Sequence, residues 1–295
     1  MIGSIAILGA PSGIGAGPYD DGTERRIDLT LLREQGLVAR LEAQDLGDVM
    51  PPRRYQDVVK PVGRGRNEDD VAAFSRELAK RVAAASQAGH FILLLGGDCS
   101  ILLGALLGLG TVREGPLGVV YIDGHADFAT LEESPSGAAC GRTLALAVGR
   151  STTPLSNLAG DQPLVRPEEV VHIGSRDATG PWGNHALAEW GIVNMPYPAV
   201  EERGPSTVAL AALERVSQAP GGFWIHADAD VLNPVVMPAV DTPEPPAASP
   251  SSSSANCWRH SSATPTPSDC SSRNTTPAST PMAAAPRNSR ISWRP

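Results

Sequence analysis

Acidic and imidazole side chains come in two short bursts in this chain, Asp123-Gly-His125-Ala-Asp127 and Asp228-Ala-Asp230. Each follows a run of strand type, Leu117 to Ile122 in the first case and Gly222 to His226 in the second. Alternate residues of an extended segment point the same way, so Asp123, His125 and Asp127 can converge on one point, and Asp228 and Asp230 can do the same. Four carboxylates packed that closely repel one another and take up protons unless a cation compensates them. Carboxylates with few imidazoles suit hard or borderline ions such as manganese or magnesium better than a thiolate-bound zinc. Two such ions would also turn a bound water into hydroxide near neutral pH, a nucleophile for hydrolysis. An isolated Asp more often caps a loop or shapes a turn; two clusters, one with a histidine, speak against that role here.

Elements of a particular kind must carry these bursts. Strands are expected near 3–9, 38–45, 91–95, 117–122, 169–174, 191–195 and 223–228, and the clearest helices near 68–88, 100–108, 184–190 and 206–217. The alternation predicts a single three-layer α/β/α domain with a mainly parallel sheet. Ligands of such sheets bind outside the carboxyl ends of the strands, where both bursts lie. At 295 residues, with 41% hydrophobic and 19% charged residues, the chain can bury one large core. There is no internal repeat, no apolar run of membrane-spanning length and no convincing signal peptide. The four cysteines, at 99, 140, 257 and 270, have neither zinc-knuckle spacing nor a small disulfide scaffold around them, which fits a cytoplasmic protein.

A third strand end joins the other two. Phe91-Ile-Leu-Leu-Leu95 runs into Gly96-Gly97-Asp98-Cys99-Ser100 and then into a helical pattern. The order GGDCS, YIDGHADF, HIGSRD at 172–177 and HADADVLNP at 226–234 resembles the ureohydrolase family of arginases, agmatinases and formiminoglutamases. Members of that family carry GGDHS, DAHxD and SxDxDxxDP turns in the same order. The likeness spans residues 1–245, with Gly17-Pro18 and the stretch from Leu32 to Leu37 resembling the family's opening. One such motif is weak and four in sequence are strong.

The resemblance implies an arginase-like fold and a binuclear manganese site. Asp123 and Asp228 would bridge the ions, Cys99 and Asp127 would hold one, and His125 and Asp230 the other. Hydroxide between the metals would attack the central carbon of a guanidinium or formimino group, and an amine would leave with urea or formamide as the other product. The resemblance also implies a homo-oligomer if the fold is complete.

Several residues depart from the family pattern. Cys99 stands where a histidine ligand is usual, and a thiolate opens the site to zinc, iron or nickel as well as manganese; a Cys there can also simply fill apolar space. The family's SGNxHG turn reads Ser136-Gly137-Ala138-Ala139-Cys140-Gly141. Ala138 cannot hydrogen-bond a substrate carboxylate, and Cys140 is a poorer proton shuttle than the usual His, so L-arginine is a doubtful substrate. Gly124 and Asn233 are milder changes. His226, where the family tends to have Ser, would contact substrate or hydrogen-bond within the sheet. Asp127, Cys140 and His226 are thus the candidate catalytic residues, beside the ligand set Cys99, Asp123, His125, Asp127, Asp228 and Asp230.

Charge excludes some partners and suits others. The net charge is −8, the only lysines are Lys60 and Lys80, and the 22 arginines are scattered, so no nucleic-acid footprint is visible. An acidic cleft suits a small cationic guanidino substrate. The Gly9-Ala-Pro-Ser-Gly13-Ile-Gly15 turn resembles the phosphate loop of short-chain dehydrogenases, but no Tyr is followed four residues later by Lys, and Pro18 interrupts the helix that should follow.

Composition breaks sharply after Pro245. Of the 50 residues 246–295, 34 are Ser, Thr, Pro or Ala, and Leu, Val and Phe are absent. Such a stretch cannot bury enough apolar surface to offset its ordering entropy and is expected to be disordered. The reading is an arginase-like domain over 1–245 and a low-complexity segment over 246–295. The break is what a shifted reading frame in a GC-rich gene would produce, and a natural Ser/Pro-rich tail is the other reading. In the family the chain continues with a strand that lies inside the sheet; without it, backbone groups of two core strands would go unpaired.

Overall fold

The structure, a computed structural model, describes residues 4–17, 27–52, 59–176 and 183–232. The expectations for Asn233, the tail 246–295, Cys257 and Cys270 lie outside these residues. The chain divides into two units, Met1–Ala247 and Ala248–Pro295, and every described residue belongs to the first.

Among the described residues seven strands are formed: β1 (Ile5–Gly9), β2 (Gln44–Asp48), β3 (Phe91–Leu95), β4 (Gly118–Ile122), β5 (Val170–Ile173), β6 (Val193–Met195) and β7 (Phe223–Ala227). The helices are α1 (Thr30–Glu34), α2 (Leu37–Arg40), α3 (Glu68–Gln87), α4 (Ile101–Gly110), α5 (Thr143–Ala147), α6 (Asn184–Glu189), α7 (Tyr197–Arg203) and α8 (Pro205–Val216). All strand pairs are parallel. Among the described residues they make a three-stranded sheet in the order β2-β1-β3 and a four-stranded sheet in the order β6-β5-β4-β7.

Alternation along β4 builds the layers. Val119 and Tyr121 face the larger core with Leu78, Leu102, Leu106 and Leu144, while Val120 faces a smaller one with Val171, Val208, Ala212 and Val216 of β5 and α8. In α3 the buried Val71, Phe74, Leu78 and Val82 form one helical stripe. It lies directly on α4, because Gly104 and Gly108 carry no Cβ: one would come within 2.9 Å of Ser75 O and 2.5 Å of Ala79 O, respectively. No helix among the described residues is long and apolar enough to cross a membrane.

The expected strand over 38–45 needs correction. Gly36 adopts φ 79°, and the chain then turns helically through Leu37–Arg40 before β2 begins at Gln44. The apolar Val38 and Leu41 suggest a strand, but the true strand is a polar edge. It pairs Ala6 with Gln44 and offers Asp45 and Asp48 to Arg33. The short helices α1, α5 and α7 were also not expected, since five to seven residues carry too little periodicity to be read.

Candidate metal centre

Three strand ends meet. β4 ends in Asp123, β7 in Asp228, and the turn after β3 carries Cys99. Local hydrogen bonds set each carboxylate. Asp123 Oδ1 accepts from His125 N–H at 2.7 Å, Asp228 Oδ1 from Asp230 N–H at 2.9 Å, and Asp230 Oδ1 from Gly124 N–H at 3.1 Å, which ties the two bursts together. Asp127 takes the left-handed conformation at φ 47°, and its carbonyl accepts from Leu144 and Ala145 at the start of α5.

Ligand atoms of Asp123, His125 and Asp230 lie within 4.8 Å of one another, as do those of Cys99, Asp123 and His226. His125 Nδ1 is 2.9 Å from Asp230 Oδ2 and 3.7 Å from Asp123 Oδ1. The Cys99 thiol donates to Asp228 Oδ2 at 3.0 Å and lies 3.9 Å from Asp123 Oδ2. Asp127 Oδ2 accepts from the Tyr121 hydroxyl at 2.6 Å. Cys140 lies on the neighbouring turn, where its backbone N–H donates to Gly15 O. Neither Cys99 nor Cys140 is in a disulfide.

The electrostatics are those of a site short of positive charge. Burial, with the neighbouring Asp127 carboxylate, pushes Asp123 well above the usual carboxylate range. Burial pushes Asp127 up to about 7 despite its bond from Tyr121. Burial and the surrounding carboxylates raise the Cys99 thiol well above its ordinary value, consistent with its acting as a donor to Asp228. His125 is raised to about 12 by its bonds to Asp123 and Asp230. Burial would raise Asp230 too, but the bond from His125 overrides it and brings it down. Among the described residues no Lys or Arg pairs with Asp123, Asp127, Asp228 or Asp230, so the compensating charge is the imidazolium and the bound protons. The donor set therefore fits divalent cations, which would take over that compensation. Cys99, Asp123, His125, His226 and Asp230 bring ligand atoms close enough together to hold a cation. His226 is buried, and its Nε2 has no hydrogen-bond partner among the described residues.

The surroundings hold residues that the spacing of the acids did not single out. Tyr121 stacks between His172 and His226, its register partners on β5 and β7, at centroid distances of 5.5 and 4.6 Å. His172 Nε2 lies 2.8 Å from His125 O, and burial lowers both stacked histidines to about 4, so they are neutral. Arg176 donates to Asp230 O and Val231 O at 3.1 and 2.6 Å. A Cβ on Gly124 would come within 2.6 Å of its guanidinium. All three residues lie in motifs legible in the sequence, Tyr121 in YIDGHADF and the other two in HIGSRD.

The glycine turn near the N-terminus is occupied structurally. Gly15 N–H donates to Asp98 Oδ2 at 2.9 Å, and a Cβ there would come within 2.3 Å of Asp98 Oδ1 and Ser100 Oγ. Its carbonyl accepts from Ala139 and Cys140. The loop thus joins the Cys99 turn to the 136–141 turn instead of opening toward a phosphate.

Comparison with known proteins agrees with this geometry. The family model described as Arginase family matches residues 5–255. The chain is 32% identical over 246 residues to an arginase of Bacillus caldovelox, covering 81% of this chain and 80% of that one. It is 33% identical over 237 residues to an arginase of Brevibacillus brevis, covering 77% of each. The native crystal structure of the Bacillus caldovelox arginase superposes with a TM-score of 0.72 at 31% identity, covering 82% of this chain and 81% of that one. With the strand-end acids, the four ordered motifs and these matches in agreement, the chain belongs to the arginase family.

Proposed function

We propose that this protein is a metal-dependent hydrolase that cleaves a linear C–N bond of a small guanidino or formimino compound. The observation that carries the reading is the convergence of Asp123, Asp127, Asp228 and Asp230 from two strand ends, two of them buried, with no Lys or Arg in an ion pair with them among the described residues. Two divalent ions, manganese foremost, would supply at neutral pH the water-derived nucleophile that the reaction needs. The chain's own residues do the rest. Asp123 and Asp228 would be shared between the ions, Cys99 and Asp127 assigned to one, and His125 and Asp230 to the other. Tyr121 orients Asp127, His172 holds the backbone of His125, and Arg176 holds that of Asp230. Asp127 and Cys140 are the groups proposed to handle protons, and His226 to face the substrate.

Substrate choice follows from the turn at 136–141. Ala138 is buried and has no side-chain hydrogen-bonding group, which favours a substrate without the α-carboxylate of arginine. The test is metal analysis of the purified chain, followed by a screen of arginine, agmatine, guanidinobutyrate and formiminoglutamate for urea or formamide. About two ions per chain and turnover of one substrate other than arginine are expected. Silence across all four with metal bound would overturn the reading.

A second reading has its own observations. Cys99 donates its thiol proton to Asp228, and among the described residues no strand pairs with the outer edge of β3 or β7, features of a relative that keeps the fold without turnover. One ion per chain or none would favour it.

A further inference from the structure

His226 lies opposite Tyr121 in the parallel register of β7 and β4, and its ring stacks on the phenol at 4.6 Å between centroids and 24° between planes. His172 of β5 stacks on Tyr121 as well, so three neighbouring strands fix the orientation of the imidazole. Only 9% of His226 is exposed, and its Nε2 has no hydrogen-bond partner among the described residues. An unpartnered buried polar atom costs about 1–3 kcal/mol, and an ion is among the partners that relieve it.

A ring nitrogen of His226, the Cys99 sulfur and a carboxylate oxygen of Asp123 all lie within 4.8 Å of one another. They come from three strands: Cys99 from the turn after β3, Asp123 from the end of β4, and His226 from β7. The Cys99 sulfur is anchored 3.0 Å from Asp228 Oδ2. Asp123 belongs to a second group as well, with His125 and Asp230. The two groups share one carboxylate and differ in their other donors. Two carboxylates and one imidazole suit a hard or borderline ion such as manganese. A thiol, an imidazole and a carboxylate are donors of the kind that zinc takes.

We infer that His226 is a metal ligand, which with Cys99 and Asp123 makes a zinc-selective position beside a manganese-type position at Asp123, His125 and Asp230. The inference rests on the metal-dependent reading above and adds to it the ion that each position takes. The departures at Cys99 and His226 are then two halves of one exchange, in which β7 supplies the nitrogen donor and the turn after β3 supplies a sulfur. A coordinated His226 still borders the substrate, with one nitrogen committed to the ion.

The test loads the full-length, metal-free chain with one equivalent of NMR-active cadmium as a spectroscopic stand-in for zinc, after isotope labelling of the histidine ring nitrogens. A thiolate-to-cadmium absorption band and scalar coupling from cadmium to one histidine nitrogen are expected. His226→Phe keeps an aromatic ring against Tyr121 and removes both nitrogens. The coupling should vanish while the band remains, and zinc affinity should fall about hundredfold or more, since even the outer partners of ligands matter 10–100-fold. Manganese affinity, read by electron paramagnetic resonance, should be unchanged, because Asp123, His125 and Asp230 are intact.

A first equivalent of cadmium without the thiolate band, or without a coupled nitrogen, would overturn the inference on the unsubstituted chain alone, however the variant folds. So would a coupling that persists in His226→Phe, which would belong to another histidine. Equal losses of zinc and manganese affinity in the variant would assign His226 a packing role instead. Two bound ions with no coupling to His226 would sink this inference and leave the hydrolase reading standing. A chain that binds neither zinc nor manganese would sink both.

Discussion

The Tyr121 hydroxyl donates a 2.6 Å hydrogen bond to Asp127 Oδ2, from the buried middle of the site to the residue that closes the first acidic turn. Tyr121 is fully buried and lies between two neutral imidazoles, so the bond is sheltered from water. Tyr121→Phe keeps the stack and removes only the donor. Outer partners of metal ligands typically matter 10–100-fold for affinity. A loss of about tenfold or more in affinity for the ion proposed at Asp127 is expected, with secondary structure unchanged, read by titration of the metal-free protein. Unaltered affinity would show that the bond does not position the ligand.

Asp228 and Cys99 should differ in what their loss does. Asp228→Ala removes a ligand assigned to both ions and should abolish binding of both, while Cys99→Ala should cost mainly one, with metal content measured by plasma emission. Cys99→His replaces a soft donor by the borderline imidazole and should move the manganese-to-zinc preference toward manganese by about tenfold. Equal losses in the two alanine variants would contradict the assignment.

Buried charge outside the centre also holds the fold. The Arg142 side chain is fully buried, 3.8 Å from Glu68 Oε1, and donates to Gly137 O in the turn that faces the site. Glu68→Ala removes the carboxylate that acts most strongly on the guanidinium, with Glu132 remaining, and should cost up to about 3–5 kcal/mol. Replacing both partners, as in Glu68→Leu with Arg142→Met, should recover most of that loss in urea denaturation. If the double variant is no more stable than the single one, the pair is not the source of the effect.

One pair gives a pH signature at the edge of the sheet. Arg33 binds Asp45 at 2.7 and 3.2 Å and Asp48 at 2.7 Å, and its hydrogen bonds hold Asp45 below the usual carboxylate range. A depressed acid stabilises the fold fully above its unfolded pKa, near ~3.9, and the contribution fades as pH falls through the lower folded value. Both side chains are partly exposed, so the effect is under about 1 kcal/mol. Arg33→Ala should therefore lower stability slightly at pH 7, and the gap from the parent should close as the pH drops below ~4. A constant gap across that range would assign the loss to packing.

Much of the site was legible because its chemistry is local in sequence. Asp123, His125 and Asp127 are spaced two apart at the end of an apolar run, as are Asp228 and Asp230, and that spacing needs no tertiary information to suggest convergence. The β3, β4 and β7 runs are readable for the same reason, each being a short stretch of mostly apolar or aromatic residues that ends at a glycine or an aspartate. Where the pattern was mixed, the reading failed. The residues from Val38 read as the start of a strand because a short apolar run does not distinguish a strand from one turn of helix, and Gly36 in the left-handed conformation decides for the helix.

By itself, then, the sequence determined the parallel α/β class, the acidic burst at each strand end and the family to which the turns belong, since these depend on residue type and on periods of two or a few residues. Only the tertiary structure decided that Tyr121 and Arg176 serve Asp127 and Asp230, that the Gly15 turn is closed by Asp98, and that His226 meets Cys99 and Asp123. Those relationships join residues tens of positions apart in the chain. Their geometry is set by strand order and register, and neither can be read from local composition.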